Sequence, residues 1–344
     1  MCFPADLEAA ALASEQTESG RSGSEVGVDS GLRRRLQLVR GLQWVRAAEG
    51  DPLATLLRGY PGDAPPVSTE PISRSATGTM LVDGAQAPEL RTAGGGLADW
   101  RPTGTRVMAV VAEDIEPADP ADVAALAAAS PPPVTEVPDE LTDLVPVAEL
   151  LCARVFADLL GAGVDSLLGA TPVLDNLLCP QETAVTERML AAVDDLRAAL
   201  CARTPAFFLA VVAPRLAADL VTRTAATLLA DGRWPDAEGA VERTRAVYAP
   251  VRLYITNISA DLTVAGEPVS GGSQVAVVTS PAALPQLLDL PLVYATADAV
   301  LTAIARRHPR LVSSGAALER PLAPATRGLA HLPVASLRTE LVGS

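Results

Sequence analysis

Apolar and polar positions divide this chain into a mixed N-terminal stretch, a long centre dominated by Ala and Leu, and a C-terminal part where β-branched residues return. Over Leu32 to Ala48, Leu32, Val39, Leu42 and Val45 fall on one side at helical spacing. Arg33, Gln37, Arg40 and Trp44 fall on the opposite side, so the pattern predicts a helix, although Arg35, Arg46 and Gly41 weaken it. Residues 51–80 carry several Pro and Gly and read as loops and short strands. Residues 147–232 should be mainly helical, with one helix over Thr183 to Arg203 and another over Phe207 to Ala230, where Pro214 introduces a kink. Val241 to Val247 reads as a further short helix. Val251 to Thr256, Leu262 to Val264 and Val275 to Thr279 are rich in β-branched residues, with Gly266-Glu267 and Gly271-Gly272 where turns belong, which predicts a small hairpin sheet. Ala297 to Arg307 returns to helix, the C-terminus is irregular, and no fixed-period repeat runs through the chain.

Composition narrows the possibilities. With 344 residues and 49% hydrophobic residues the chain can bury a sizeable core. The formal net charge is −14 and all 27 basic residues are Arg. An acidic surface repels phosphate backbones and argues against a nucleic-acid partner. No apolar run is long enough to cross a membrane. The N-terminus lacks the charged and apolar regions of a signal peptide, and four widely spaced Cys (Cys2, Cys152, Cys179 and Cys201) fit a reduced, cytoplasmic protein. Residues 1–31 read as a flexible arm and 32–344 as one domain. Within that domain, Glu113 to Glu149 holds ten acids and no base beside Pro131-Pro132-Pro133, as in a solvated linker with helical pieces.

Glu242-Arg243-Thr244-Arg245 places Glu242 and Arg245 three apart, on one face of a helix. Alone, this reads as an ordinary surface ion pair. The residues that follow change the reading. Pro250-Val251-Arg252-Leu253, and then the run from Asp261 through Gly266-Glu267-Pro268-Val269-Ser270-Gly271-Gly272 to Val275, resemble the cytochrome P450 segment from the E-x-x-R helix through its β-hairpin. Ala299 to Leu311, with Arg306-Arg307-His308-Pro309, resembles the helix that follows the haem-binding loop in that family. Thr326-Arg327-Gly328-Leu329 and Leu332-Pro333-Val334 resemble the family's closing segment. The resemblance implies a mainly α fold with a small β part, in which Glu242 and Arg245 have a structural, bracing role; one extra residue separates Arg245 from Pro250.

The chemistry of that family is missing from the sequence. A cytochrome P450 holds its iron through a Cys thiolate in a Gly-rich loop. Here Val278 runs through Leu284-Pro285-Gln286-Leu287-Leu288 to Ala297 without a Cys and without that loop. The oxygen-activating Ala/Gly-Gly-x-Asp/Glu-Thr has no counterpart near Val211-Val212-Ala213-Pro214-Arg215, and the Glu113–Glu149 stretch offers no basic partner for haem propionates. The expectation is therefore a P450-like fold lacking the haem-thiolate loop, with no cofactor, no metal and no catalytic residue.

Leu36-Gln37-Leu38-Val39-Arg40-Gly41-Leu42-Gln43-Trp44 with Gly50-Asp51-Pro52, and Leu174-Asp175-Asn176-Leu177-Leu178-Cys179-Pro180-Gln181, resemble P450-like activator proteins encoded with macrolide and anthracycline glycosyltransferases. That resemblance implies a hetero-oligomer in which this chain activates or stabilises a nucleotide-deoxysugar glycosyltransferase. Arg33, Gln37, Arg40 and Trp44 are the candidate partner surface, since Trp and Arg are enriched at interface hot spots; the alternative is that Trp44 packs in the core and the Arg side chains are solvated. Three other readings stay open: a divergent monooxygenase using His308 or Cys179 on the iron, a pocket protein for a polyketide aglycone, and a remnant without function.

Overall fold

The computed structural model of the chain describes residues 72–74, 80–83 and 125, and then residues 128–337 with interruptions at 179–186, 201–203, 252, 258–260, 265, 280, 282–283, 285–287, 321–324 and 327. The Leu32–Ala48 segment, the N-terminal arm and the first part of the acidic stretch (113–124, 126 and 127) lie outside the described residues. The last six residues of that stretch, 144–149, are the first turns of a helix and not linker.

That helix, α1 (Leu144–Leu160), is set by its ends. The Asp143 carboxylate accepts the Val145 N–H at 3.0 Å, and Gly161 closes the other end at φ 75°. Its buried face carries Leu144, Leu151, Cys152, Val155, Phe156 and Leu160. The helix α2 (Val164–Ala170), α3 (Val173–Leu178) and α4 (Glu187–Leu200) follow, and α4 packs on α2 where Gly169 meets Ala192.

The central element is α5 (Thr204–Ala230), 27 residues long and buried along most of its length. It continues through Pro214. Proline removes one main-chain bond and costs about 3 kcal/mol in an isolated helix interior. Burial of Phe207, Leu209, Val211, Val212, Leu216, Leu220 and Val221, each side chain contributing about 1.5–3 kcal/mol, offsets that cost. Helix α5 packs against α1, α4, α6 (Ala240–Arg245) and α7 (Pro291–Arg307). Helix α7 starts at Pro291, ahead of the expected Ala297, because Pro is well suited to a first helical turn.

The β part differs in connection from a single hairpin sheet. Strands β1 (Ile72–Arg74), β2 (Met80–Asp83) and β3 (Leu253–Asn257) join β6 (Gln274–Val278) in the order β1-β2-β6-β3, with β2 and β6 parallel. Strands β4 (Leu262–Val264) and β5 (Glu267–Val269) form a separate antiparallel ribbon, turned at Gly266 with φ 88°. Gly272, φ 83°, makes the next turn as its sequence position suggested. The C-terminal part is not irregular: β7 (Leu311–Ser313) pairs with β10 (Val334–Ser336), and β8 (Leu318–Glu319) with β9 (Leu329–His331). Strands of two or three residues are too short to show a period of two.

Candidate functional site

Arg245 stands in the last turn of α6. Its guanidinium lies 3.6 Å from Glu242 and closer, 3.1 Å, to Asp289 just ahead of α7. It also covers the Tyr294 ring at 4.2 Å, and the Tyr294 hydroxyl donates to Asp289 at 2.7 Å. Glu242 is 73% exposed and Arg245 38%, so the Glu242–Arg245 contact is worth about 0–1 kcal/mol. The tie between α6 and α7 is carried by Asp289 and Tyr294, which sequence reading missed. No spacing rule links Arg245 to a partner 44 residues later.

A second constellation lies in the middle of α5. The Arg215 Nε donates to Asp219 at 3.0 Å, one turn along the same helix. The other nitrogens of Arg215 lie 3.5 Å from Asp175 of α3 and 3.9 Å from Glu149 of α1. Arg320 reaches Asp219 at 3.1 Å and pairs with Glu149. Thr326 gives Asp175 its N–H at 3.2 Å and its hydroxyl at 2.9 Å. This network binds α1, α3 and α5 to the chain around β8 and β9. The sequence shows only an Arg and an Asp at i, i+4 in a mostly apolar helix, and nothing in it points to the partners on other elements.

The histidines and the described cysteine are committed elsewhere. The His308 Nε2 sits 2.7 Å from the Pro138 carbonyl, while the His308 carbonyl accepts the Trp234 indole N–H at 2.8 Å. His331 faces Asp143. Burial would raise the Asp143 pKa, but the N–H groups of Leu332 and Val145, with His331, hold it below the ordinary carboxylate range. Cys152 is fully buried in α1, and burial with Glu149 and Asp219 nearby drives its thiol far up. Cys179 and the candidate partner residues Arg33, Gln37, Arg40 and Trp44 lie outside the described residues.

A long central helix, an E-x-x-R helix, the ribbon that follows it and a second buried helix ahead of the closing strands are the arrangement of a cytochrome P450, and the chain has that fold. P450BioI, solved in complex with hexadec-9Z-enoic acid ligated acyl carrier protein, matches 87% of this chain and 98% of its own at TM-score 0.58 and 15% identity. A mutant of P450 EryK in complex with erythromycin B matches 90% of this chain and 99% of its own at TM-score 0.55 and 16% identity. These two structures show the fold of the chain. The chain is similar along almost its whole length to Protein TylM3 of Streptomyces fradiae, 28% identical over 88% of this chain and 92% of that protein. It is similar also to the cytochrome P450 family protein EryCII of Saccharopolyspora erythraea, 29% identical over 89% of this chain and 98% of EryCII. Protein DesVIII of Streptomyces venezuelae is 26% identical over 90% of this chain and 94% of its own. No family model matches the chain. No helix among the described residues is long and apolar enough to cross a membrane.

Proposed function

We propose that this chain is a non-catalytic, haem-free auxiliary protein that binds a nucleotide-deoxysugar glycosyltransferase in polyketide antibiotic biosynthesis and activates or stabilises it. The observation that carries the reading is a cytochrome P450 fold whose sequence passes from Val278 of β6 to Pro291 of α7 without a Cys. Similarity to TylM3, EryCII and DesVIII over most of each chain supports it, as does the resemblance of the Leu36–Trp44 segment to activator proteins.

The physical mechanism needs no nucleophile. A protein that binds only the folded, competent state of its partner draws the partner's population toward that state. At a free concentration 100 times its dissociation constant the auxiliary protein adds about 2.7 kcal/mol to the partner's stability. Trp44, with Arg33, Gln37 and Arg40, is assigned to the contact surface. Glu242 and Arg245 keep a structural role.

Co-expression with the glycosyltransferase, followed by size exclusion and an absorption spectrum, tests the reading. The expected result is a joint peak without a Soret band, and transferase activity that disappears when this protein is left out. A lone peak carrying a Soret band returns the chain to the haem enzymes. Trp44→Ala should weaken the complex and leave folding intact; an unfolded variant places Trp44 in the core instead.

A further inference from the structure

Pro131 to Glu140 lead into α1 without forming helix or strand. Pro131, Pro132, Pro133 and Pro138 stiffen this stretch, because proline fixes φ and favours an extended conformation that repeats every three residues. Burial follows that repeat. Pro131, Val134 and Val137 are half-buried, and the two valines pack against the core, whereas Pro133, Glu136 and Asp139 are exposed. Among the described residues, Pro131 to Asp139 form no bond from main chain to main chain. The stretch is pinned through side chains instead. Glu136 reaches Arg154 of α1 at 3.0 Å, Asp139 pairs with Arg307 at the end of α7, and the Pro138 carbonyl accepts from the His308 Nε2 at 2.7 Å.

Glu136 is also strained. It stands at φ 61°, alone in the left-handed region among the described residues other than glycine. A side chain with a Cβ is disfavoured there, and no main-chain bond of its own turn offsets the penalty. Its contact with Arg154 is open to water, with Glu136 75% exposed and Arg154 38%, and pairs of that kind bind weakly.

We propose that Pro131–Glu140 is a releasable strap: it lifts from α1 and the end of α7 while the helical core stays folded, and its opening uncovers the apolar surface beneath Val134 and Val137. The root of the strap is firm. Thr142 accepts the Val334 N–H at 3.0 Å, the Leu144 N–H bonds the Leu332 carbonyl at 2.9 Å, and Asp143 caps α1. Ahead of that root, closure rests on two exposed ion pairs, one bond from His308 and two half-buried valines, and the strain at Glu136 works against it. A segment with so few buried contacts opens at a lower free energy than the core unfolds. Salt screens both ion pairs and shifts the strap toward its open state.

Native-state proteolysis of the full chain with thermolysin, which cuts ahead of apolar side chains, reads the opening once mass spectrometry has assigned the cuts. Each rate is normalised to that of the matching free peptide. When opening and closing outpace cleavage, the rate follows the open population. Cuts ahead of Val134 and Val137 should precede cuts in α1 and α5, and should respond less to urea because less surface is exposed. Added salt and Arg154→Ala should each speed the strap cuts; Asp139→Asn serves if Arg154→Ala fails to fold. With the Arg154 contact already removed, Glu136→Gly should slow them by about fivefold, the left-handed penalty less the greater freedom of glycine in the open strap. Strap cuts that share the rate and urea dependence of the helix cuts would mean that nothing opens separately. Strap cuts as fast as in the free peptide would mean that no closed state exists. An unchanged or faster rate in Glu136→Gly would show that no strain drives the opening. Each of these results overturns the proposal.

Discussion

Gly328 gives the most direct test of how tightly the central network is built. A Cβ at this position would meet the Asp219 Oδ1 at 2.2 Å, the Asp219 Cγ at 2.6 Å and the Arg320 Nη1 at 2.7 Å. All three distances are below those real Cβ atoms show, and the atoms are not free to yield. Asp219 is held by Arg215 at 3.0 Å, and Arg320 is tied back to Gly328 itself through its own N–H on the Gly328 carbonyl at 3.1 Å. If Gly328→Ala were accommodated by small shifts, the cost would be that of overpacking, about 1–3 kcal/mol. If the methyl group drives the Asp219 carboxylate off its guanidinium partners, the cost approaches that of breaking a buried pair, about 3–5 kcal/mol. The expected destabilisation therefore lies at about 1–5 kcal/mol, read from urea denaturation at constant slope. Gly232→Ala separates crowding from backbone effects. It meets nothing within 4 Å but stands at φ 65°, so only the left-handed penalty of about 1–2 kcal/mol applies. A second variant localises the clash, since Gly328→Ala should cost less in an Asp219→Ala background than in the wild type. A Gly328→Ala protein within about 0.5 kcal/mol of wild type would refute the packing described here.

Two further outcomes follow from single contacts. Asp143→Ala removes the cap of α1 and the acceptor of the Leu332 N–H, and should cost about 0.5–2 kcal/mol at neutral pH. Because the Asp143 pKa is depressed in the folded chain, its contribution is present above the ordinary carboxylate range and is lost as pH falls through the folded value. Denaturation curves of wild type and Asp143→Ala should therefore converge in acid, and a constant gap across pH would contradict this. Trp234→Phe trims the buried indole to a phenyl ring and leaves the His308 carbonyl without its donor at 2.8 Å; loss of the donor alone should destabilise by about 1–3 kcal/mol, measured by denaturation. No measurable change would mean that water replaces the donor.

The sequence made the fold class legible because helical periodicity and the E-x-x-R-to-hairpin run are local signals. The span of α5 was readable from its apolar texture, and Gly272 marked a turn because a left-handed residue is needed there. What escaped was pairing across distance. Strand β6 reads as one arm of a hairpin, yet it lies parallel to β2, nearly two hundred residues earlier, and no local pattern encodes that partner. The early start of α7 was hidden because Pro291 reads as a breaker until its first-turn position is known. The central network was illegible for the same reason as β6: Glu149, Asp175, Arg215 and Arg320 are scattered over three helices and a loop. Glu149 in particular was submerged in an acidic stretch whose composition describes solvent, although its carboxylate turns inward.

These long-range ties bear on how a cytochrome P450 scaffold can serve as a binding surface. The described core is a set of helices around α5 whose apolar faces exclude water, and non-directional packing of this kind does not depend on any one side chain. It holds the helices together but does little to fix the short C-terminal ribbons, whose strands of two or three residues contribute few main-chain bonds. Directional contacts do that work. Asp143 holds Leu332, Arg320 and Thr326 anchor the chain flanking β8 and β9, and Arg245 joins α6 to Asp289 and Tyr294 ahead of α7. A partner-binding role requires a surface that keeps its shape, since each side chain ordered on association costs about 0.5–1.5 kcal/mol. The charges buried in this chain are therefore best understood as fasteners that hold the ribbons in register on the helical core, and their worth lies in fixing one arrangement more than in adding net stability.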